Sequence, residues 1–225
     1  MLSPITDQNI NMKNNVLIIA VHPDDETIGC GGTIFHHKEK GDVVNCLFIT
    51  EGNEIQKKTI SKLKDFYQFD NTYSLGLPEI ILDDISLSEI IPLISKVFKE
   101  SNANIIYLPN RSDPHSDHRK TFDACQACIK SFRYPSVKKV MMIDVISETD
   151  FAPALPENIF IPHVFVDISN YMDKKIHALN FFKSELFEAP FTRSIDTMKA
   201  YNRYRGSQIN VMYAESFMLL KEIIN

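Results

Sequence analysis

Along the chain, short runs of branched apolar residues alternate with segments whose apolar positions recur every three or four residues. The strongest run is 16–21, Val-Leu-Ile-Ile-Ala-Val, which reads as a strand buried on both faces. Further strands are predicted at 43–50, 71–75, 104–108 and 139–145, with one at 160–168 broken by Pro162. Helices are predicted between them at 27–40, 55–69, 86–100 and 118–132. The 86–100 segment has apolar residues at 87, 90, 91, 93, 94, 97 and 98, which is helical spacing. Three helices close the chain, at 170–187, 194–207 and 214–224. This alternation implies an α/β, Rossmann-like fold: a mostly parallel sheet with helices on both faces and right-handed crossovers. A single domain over 1–225 suits the length, with the polar segment 1–14 as a frayed arm.

Composition narrows the class. Hydrophobic residues make up 44% of the chain, which is enough for a packed core. The net charge is −5 and no basic block stands out, so a nucleic-acid partner is not expected. No apolar run is long enough to span a bilayer and the N-terminal residues carry no signal-like apolar region, so a soluble, cytoplasmic protein is expected. The four cysteines are too few for a disulfide scaffold. Cys125 and Cys128 form a C-x-x-C inside a helical pattern with no second pair to complete a zinc site, so they read as buried thiols. His36 and His37, beside Lys38 and Lys40, read as solvated.

Two polar clusters interrupt the pattern. The first strand runs directly into His22-Pro23-Asp24-Asp25-Glu26. The strand at 104–108 runs into Pro109-Asn110-Arg111-Ser112-Asp113-Pro114-His115-Ser116-Asp117-His118-Arg119. Both lie past a strand and before a helix, the edge where open α/β sheets hold ligands. Acids also favour helix N-termini for electrostatic reasons alone, so the first cluster by itself is ambiguous. Together, His22, Asp25 and His118 form a two-histidine, one-carboxylate set. Three protein ligands leave a position for water, as in catalytic zinc sites; the same set also occurs at non-haem iron, so Fe2+ or another divalent metal stays open. Asp24 is the candidate general base. Asp117, bonded to a ring nitrogen of His115, would raise that imidazole's pKa for oxyanion stabilisation or leaving-group protonation. The alternative is that His115 and Asp117 are supporting loop residues. Gly29-Cys30-Gly31-Gly32 is not a dinucleotide fingerprint.

These motifs, with Gly31-Gly32, Thr50-Glu51-Gly52, Leu75-Gly76-Leu77-Pro78-Glu79, Val166-Asp167-Ile168, Lys175, Ala178, Arg205-Gly206 and Ala214-Glu215-Ser216-Phe217, resemble the PIG-L (LmbE-like) family of zinc-dependent N-deacetylases. The resemblance implies a Rossmann-like hydrolase that removes acetyl from an N-acetylglucosamine-type amino sugar or its conjugate. By it, His22, Asp25 and His118 are metal ligands, Asp24 is the base, and His115 with Asp117 assists the transition state. Two departures bear on the substrate. Lys57 and Lys58 stand where the family usually has an arginine, and Ser184-Glu185 stands where it often has Ser-Gln. Lysine does not supply a bidentate fork. Arg205 is a candidate substrate-binding residue, with a structural ion pair as its alternative. The rival functions are hydrolysis of another amide, such as a thiol-sugar conjugate, and a nucleotide- or sugar-binding module without turnover.

Overall fold

The computed structural model describes residues 13–50 and 52–224. Most of the predicted arm at 1–14 lies outside the described residues. Asn14 is tied to the sheet, with its N–H on Asp42 Oδ1 at 2.8 Å and its carbonyl accepting from Val43 N at 2.9 Å.

The chain forms β1 (Asn15–Ala20), α1 (Asp25–Glu39), β2 (Val43–Thr50), α2 (Glu54–Tyr67), β3 (Asn71–Leu77), α3 (Leu87–Ser101), β4 (Ile105–Leu108), α4 (Ser116–Gln126), β5 (Lys139–Met142), β6 (Val164–Asp167), α5 (Met172–Leu179), α6 (Ile195–Ser207) and β7 (Ala214–Glu222). Among the described residues, seven strands make one sheet in the order β3-β2-β1-β4-β5-β7-β6. β1 to β5 pair in parallel, and β7 runs antiparallel between β5 and β6. The fold is therefore a single-domain α/β fold with a mostly parallel sheet. Among the described residues, no helix is long and apolar enough to cross a membrane.

The side chains of β1 explain why it sits at the centre. Val16, Ile18 and Ala20 enter one core with residues of α1, α2 and α5, including Ile34, Leu63, Tyr67 and Leu179. Leu17 and Ile19 enter a second core with α3 and α4, including Ile90, Ile94, Phe98 and Phe122. A strand covered on both faces has no polar face, hence its unbroken apolar run. The four cysteines are free and buried.

The predicted closing helix at 214–224 is instead the strand β7. Phe217 and Leu219 pack into the first core, while Met218 and Leu220 pack into the second. Burial on both faces erases the two-residue alternation, and a short apolar run then reads equally as helix. The helix predicted at 170–187 is α5 followed by a 3-10 turn at Asn180–Glu185, where Phe182 leaves helical dihedrals. The helix predicted at 118–132 begins at Ser116 and ends at Gln126. His37 is buried rather than solvated: its Nδ1 lies 2.7 Å from Asp42 Oδ2 and its Nε2 2.9 Å from Tyr107 Oη.

A buried ion pair locks α1 to the sheet. Glu215 on β7 accepts from Gly32 N at 2.9 Å and Thr33 N at 2.7 Å. Lys175 on α5 donates to Glu215 Oε1 and to Ile28 O, both at 2.7 Å. The approach is close enough that a Cβ on Gly32 would lie 2.4 Å from Ile168 Cγ2. This packing places the N-terminus of α1 at the carboxyl edge of β1.

Candidate metal centre

The chain leaves β1 in one direction for β2 and β3, and leaves β4 in the other for β5. The crevice between β1 and β4 is thus the switch point of the sheet, the usual ligand position in such folds. Both polar clusters open onto it.

After β1, the turn is held from β2: Thr50 N and Thr50 Oγ1 both donate to Val21 O, at 3.0 and 2.9 Å. Asp25, the first residue of α1, folds back so that Oδ2 accepts from Val21 N at 3.1 Å and His22 N at 2.9 Å. Asp24 lies between them with φ 146° and ψ −27°, a backbone that L-residues rarely adopt. Its N–H donates to Glu26 Oε2 at 3.1 Å, and its carbonyl accepts the first bonds of the helix from Thr27 N and Ile28 N. The other Glu26 oxygen accepts from Thr27 Oγ1 at 2.6 Å, so this side chain braces the turn, and burial pushes its carboxyl up to about 8.

After β4, His115 caps α4, its Nδ1 accepting from Asp117 N at 3.2 Å. The Asp117 carboxylate does not reach that ring. It accepts from Ile80 N at 2.7 Å and Leu82 N at 3.2 Å, and its Oδ2 lies 3.2 Å from His22 Nε2. His118 Nδ1 is 2.8 Å from Asp113 Oδ2, and His118 Nε2 is 3.4 Å from Asp25 Oδ2. The His22, His115 and His118 ring centroids lie 4.6 to 5.6 Å apart.

Among the described residues, two sets of side chains bring potential ligand atoms within 4.8 Å of one another: His22, Asp25 and His118, and His22, His115 and Asp117. In the first set, His118 Nε2 and Asp25 Oδ1 are buried and have no hydrogen-bond partner. In the second, the Asp117 carboxylate is already occupied by two backbone donors and His22. The carboxylates of Asp25, Asp113 and Asp117 are all at most 1% exposed. So many buried acids call for positive charge. Burial opposes a charge on His118, but Asp25 and Asp113 outweigh it and raise its pKa to about 10. Burial would likewise raise Asp25, but His118 and His22 hold it below the usual carboxylate range. An environment that favours a proton on Nε2 also suits a divalent cation, which takes that proton's place. The donor set fits such an ion.

Asp24 has one oxygen held and one open. Arg193 Nη1 donates to Oδ2 at 2.6 Å, while Oδ1 is buried and unpartnered. Burial pushes this carboxyl up to about 7 against the pull of Arg193. Arg193 also donates from Nε to Ser147 Oγ at 2.8 Å. The backbone N–H on His115 Nδ1 requires that nitrogen to accept, so the proton of the neutral ring sits on Nε2. Burial and the neighbouring His22 and His118 depress the His115 pKa, which agrees with a neutral ring and not with the raised one expected from the sequence. His22, Asp24, His115 and Arg193 line one open cleft of about 230 Å³.

Arg205 does not line that cleft. Its Nη2 bonds to Asp144 Oδ2 at 3.1 Å and to Tyr201 Oη at 2.7 Å. Sequence reading passed over Asp113 and Arg193. Asp113 carried a signal, an acid five residues before a candidate ligand in one loop. Arg193 carried none, because its approach to Asp24 spans 169 residues of chain.

The fold and site define an α/β protein holding a His/Asp set fit for a metal at its switch point. The model of the PIG-L family, described as GlcNAc-PI de-N-acetylase, matches residues 17–129, and the chain belongs to that family. It is 24% identical to the diacetylchitobiose deacetylase of Thermococcus kodakarensis over 96% of this chain and 87% of that one. Among solved structures, it superposes on the conserved protein TT1542 from Thermus thermophilus with a TM-score of 0.74, at 24% identity, covering 94% of this chain and 97% of that one. It superposes on the N,N'-diacetylchitobiose deacetylase from Pyrococcus horikoshii, solved with its inhibitor MPG, with a TM-score of 0.73 at 20% identity, covering 95% and 86%.

Proposed function

We propose that this protein is a zinc-dependent hydrolase that removes the acetyl group from an N-acetylglucosamine-type amino sugar or its conjugate. The observation that carries the reading is the convergence of His22, Asp25 and His118, with two unpartnered buried ligand atoms, beside the open oxygen of Asp24. Family membership and the deacetylase relatives support the same reaction. His22, Asp25 and His118 would hold the metal. Bound there, zinc supplies Lewis-acid polarisation of a carbonyl and lowers the pKa of water.

The remaining residues divide the proton work. Asp24 Oδ1 takes a proton from the attacking water and passes it to the amine nitrogen as the amide C–N bond breaks, while Arg193 fixes the carboxylate through Oδ2. His115 presents Nε2–H, a neutral donor suited to the developing oxyanion. Asp117 orients His22 and Asp113 orients His118. Arg205 braces α6 against Asp144.

The test is metal content and acetate release together. Purified protein should retain about one zinc per chain and release acetate from N-acetylglucosamine or N,N'-diacetylchitobiose. Chelation should abolish release and added zinc restore it. Release that is indifferent to chelation would overturn the metal assignment.

A further inference from the structure

The cleft beside the metal set is lined by Asp24, Glu79, Glu148, Glu185 and Arg193, together with the uncharged Pro23, Gln56 and Ile80 and the histidines 22 and 115. Four carboxylates thus face one guanidinium. That guanidinium is already engaged, 2.6 Å from Asp24 Oδ2 and 3.8 Å from Glu185 Oε2. The acids are not saturated in return. Asp24 is 3% exposed and its Oδ1 has no partner, and Glu79 Oε1 is also buried and unpartnered. The nearby arginines do not redress the balance. Arg111 and Arg119 line a separate hollow with Phe151 and donate to backbone carbonyls of Glu157, Asp113 and Pro114. Arg205 is tied to Asp144.

We propose that this cleft selects its saccharide by charge. It takes amino sugars that are neutral or carry an ammonium group, and rejects those carrying phosphate or carboxylate beside the reacting sugar. The identity of the scissile acetamide rests on the deacetylase reading above; the charge preference rests on the cleft alone. The chemistry is direct. A phosphate oxygen brought among Glu79, Glu148 and Glu185 meets like charge, and the cation of the lining, Arg193, is already paired, which costs affinity. A hydroxyl or ammonium group finds open carboxylate oxygens. Nucleotide-linked and phospholipid-linked sugars fall in the rejected class. Neutral and partly deacetylated oligosaccharides fall in the accepted one.

The test uses the zinc-loaded protein and two probes that differ only by a phosphate, glucosamine and glucosamine 1-phosphate, titrated by calorimetry. At low salt, glucosamine should bind at least about 10-fold more tightly, and added sodium chloride should narrow the gap by screening the carboxylates. Glu185→Gln or Glu79→Gln should narrow it as well. Equal or tighter binding of the phosphate, a gap indifferent to salt, or no binding of either probe would overturn the proposal. Acetate release from N-acetylglucosamine and its 1-phosphate should follow the same order. Intact binding selectivity without acetate release from any sugar would overturn the deacetylase reading and leave the charge selection standing.

Discussion

Asp113 Oδ2 lies 2.8 Å from His118 Nδ1, and that contact turns the opposite nitrogen, Nε2, towards Asp25. His22 is held in the same manner, with Nε2 3.2 Å from Asp117 and Nδ1 3.9 Å from Asp25. Each imidazole thus has a carboxylate behind it and Asp25 in front. A carboxylate on the distal nitrogen fixes the tautomer and raises the basicity of the nitrogen that faces a metal. Asp113→Asn keeps a hydrogen-bond acceptor but removes the charge. It should weaken zinc affinity by roughly 10- to 100-fold. Titration against a chelator of known affinity checks this, and wild-type affinity in the folded variant would detach Asp113 from the metal site.

The Lys175–Glu215 pair stands at a different level, the seating of α1. Both side chains are at most 2% exposed. Lys175→Met removes the cation and leaves Glu215 charged and buried, and breaking such a pair costs about 3 to 5 kcal/mol. The double variant Lys175→Met with Glu215→Gln should recover part of that loss, because no isolated charge remains. Urea denaturation of the single and double variants measures both effects. A single variant as stable as wild type would show that the pair does not seat α1.

What the sequence made legible follows from burial. The parallel strands β1 and β2 are apolar runs covered on both faces, and α2 and α3 carry one-sided patterns, so the α/β alternation was readable. β7 was not, because its residues serve both cores and its antiparallel place between β5 and β6 is set by pairing. His22, Asp25 and His118 could be picked out because motif and strand end coincide. The partner of Asp117 could not. Its side chain closes onto His22 and the loop after β3, contacts between segments 35 and 95 residues apart that no local spacing encodes.

His37 gives a pH dependence remote from the cleft. Burial depresses its pKa, against Asp42, which bonds Nδ1; Lys40 and Lys139 add to the depression. Tyr107 Oη meets Nε2, and the His36 ring lies 6.3 Å away. A histidine that is harder to protonate when folded favours the unfolded state as pH falls through the ordinary histidine range. Its stabilisation is therefore full above about pH 7 and declines below it, by at most about 1.4 kcal/mol per pH unit. His37→Gln should flatten the slope of stability between about pH 7 and 5. Urea midpoints across that range check it, and an unchanged slope would remove His37 as the source.

Arg205 offers a choice between two roles with different readouts. Its guanidinium is half of a pair with Asp144, whose side chain is 4% exposed. Arg205→Ala leaves that carboxylate buried with only Tyr201 on it, and should cost on the order of 3 kcal/mol of stability. KM for the acetylated sugar should stay within about two-fold, since removing a group that does not touch substrate leaves binding intact. A KM raised ten-fold or more with unchanged stability would return Arg205 to the substrate.

Asp24 and His115 flank the metal set without belonging to the ligands proposed for it, so their variants separate chemistry from metal binding. Asp24→Asn preserves shape and leaves His22, Asp25 and His118 untouched, and zinc content should match wild type. The amide does not take a proton at neutral pH, and loss of a general base costs roughly 100- to 10,000-fold in rate. His115 calls for a finer distinction. Its Nδ1 is occupied by the Asp117 N–H, so the ring serves through a neutral Nε2–H. A donor that acts without releasing its proton is replaceable by another N–H donor. His115→Gln should then retain more activity than His115→Ala, by about ten-fold, at equal zinc content. Equal loss in both variants would mean that His115 delivers its proton to the leaving amine, which an amide does not do. Paired measurements of zinc content and acetate release on the three variants decide the matter. A zinc-loaded Asp24→Asn protein with near wild-type turnover would move the base to another group lining the cleft, of which Glu79, Glu148 and Glu185 are the remaining carboxylates, all half-buried.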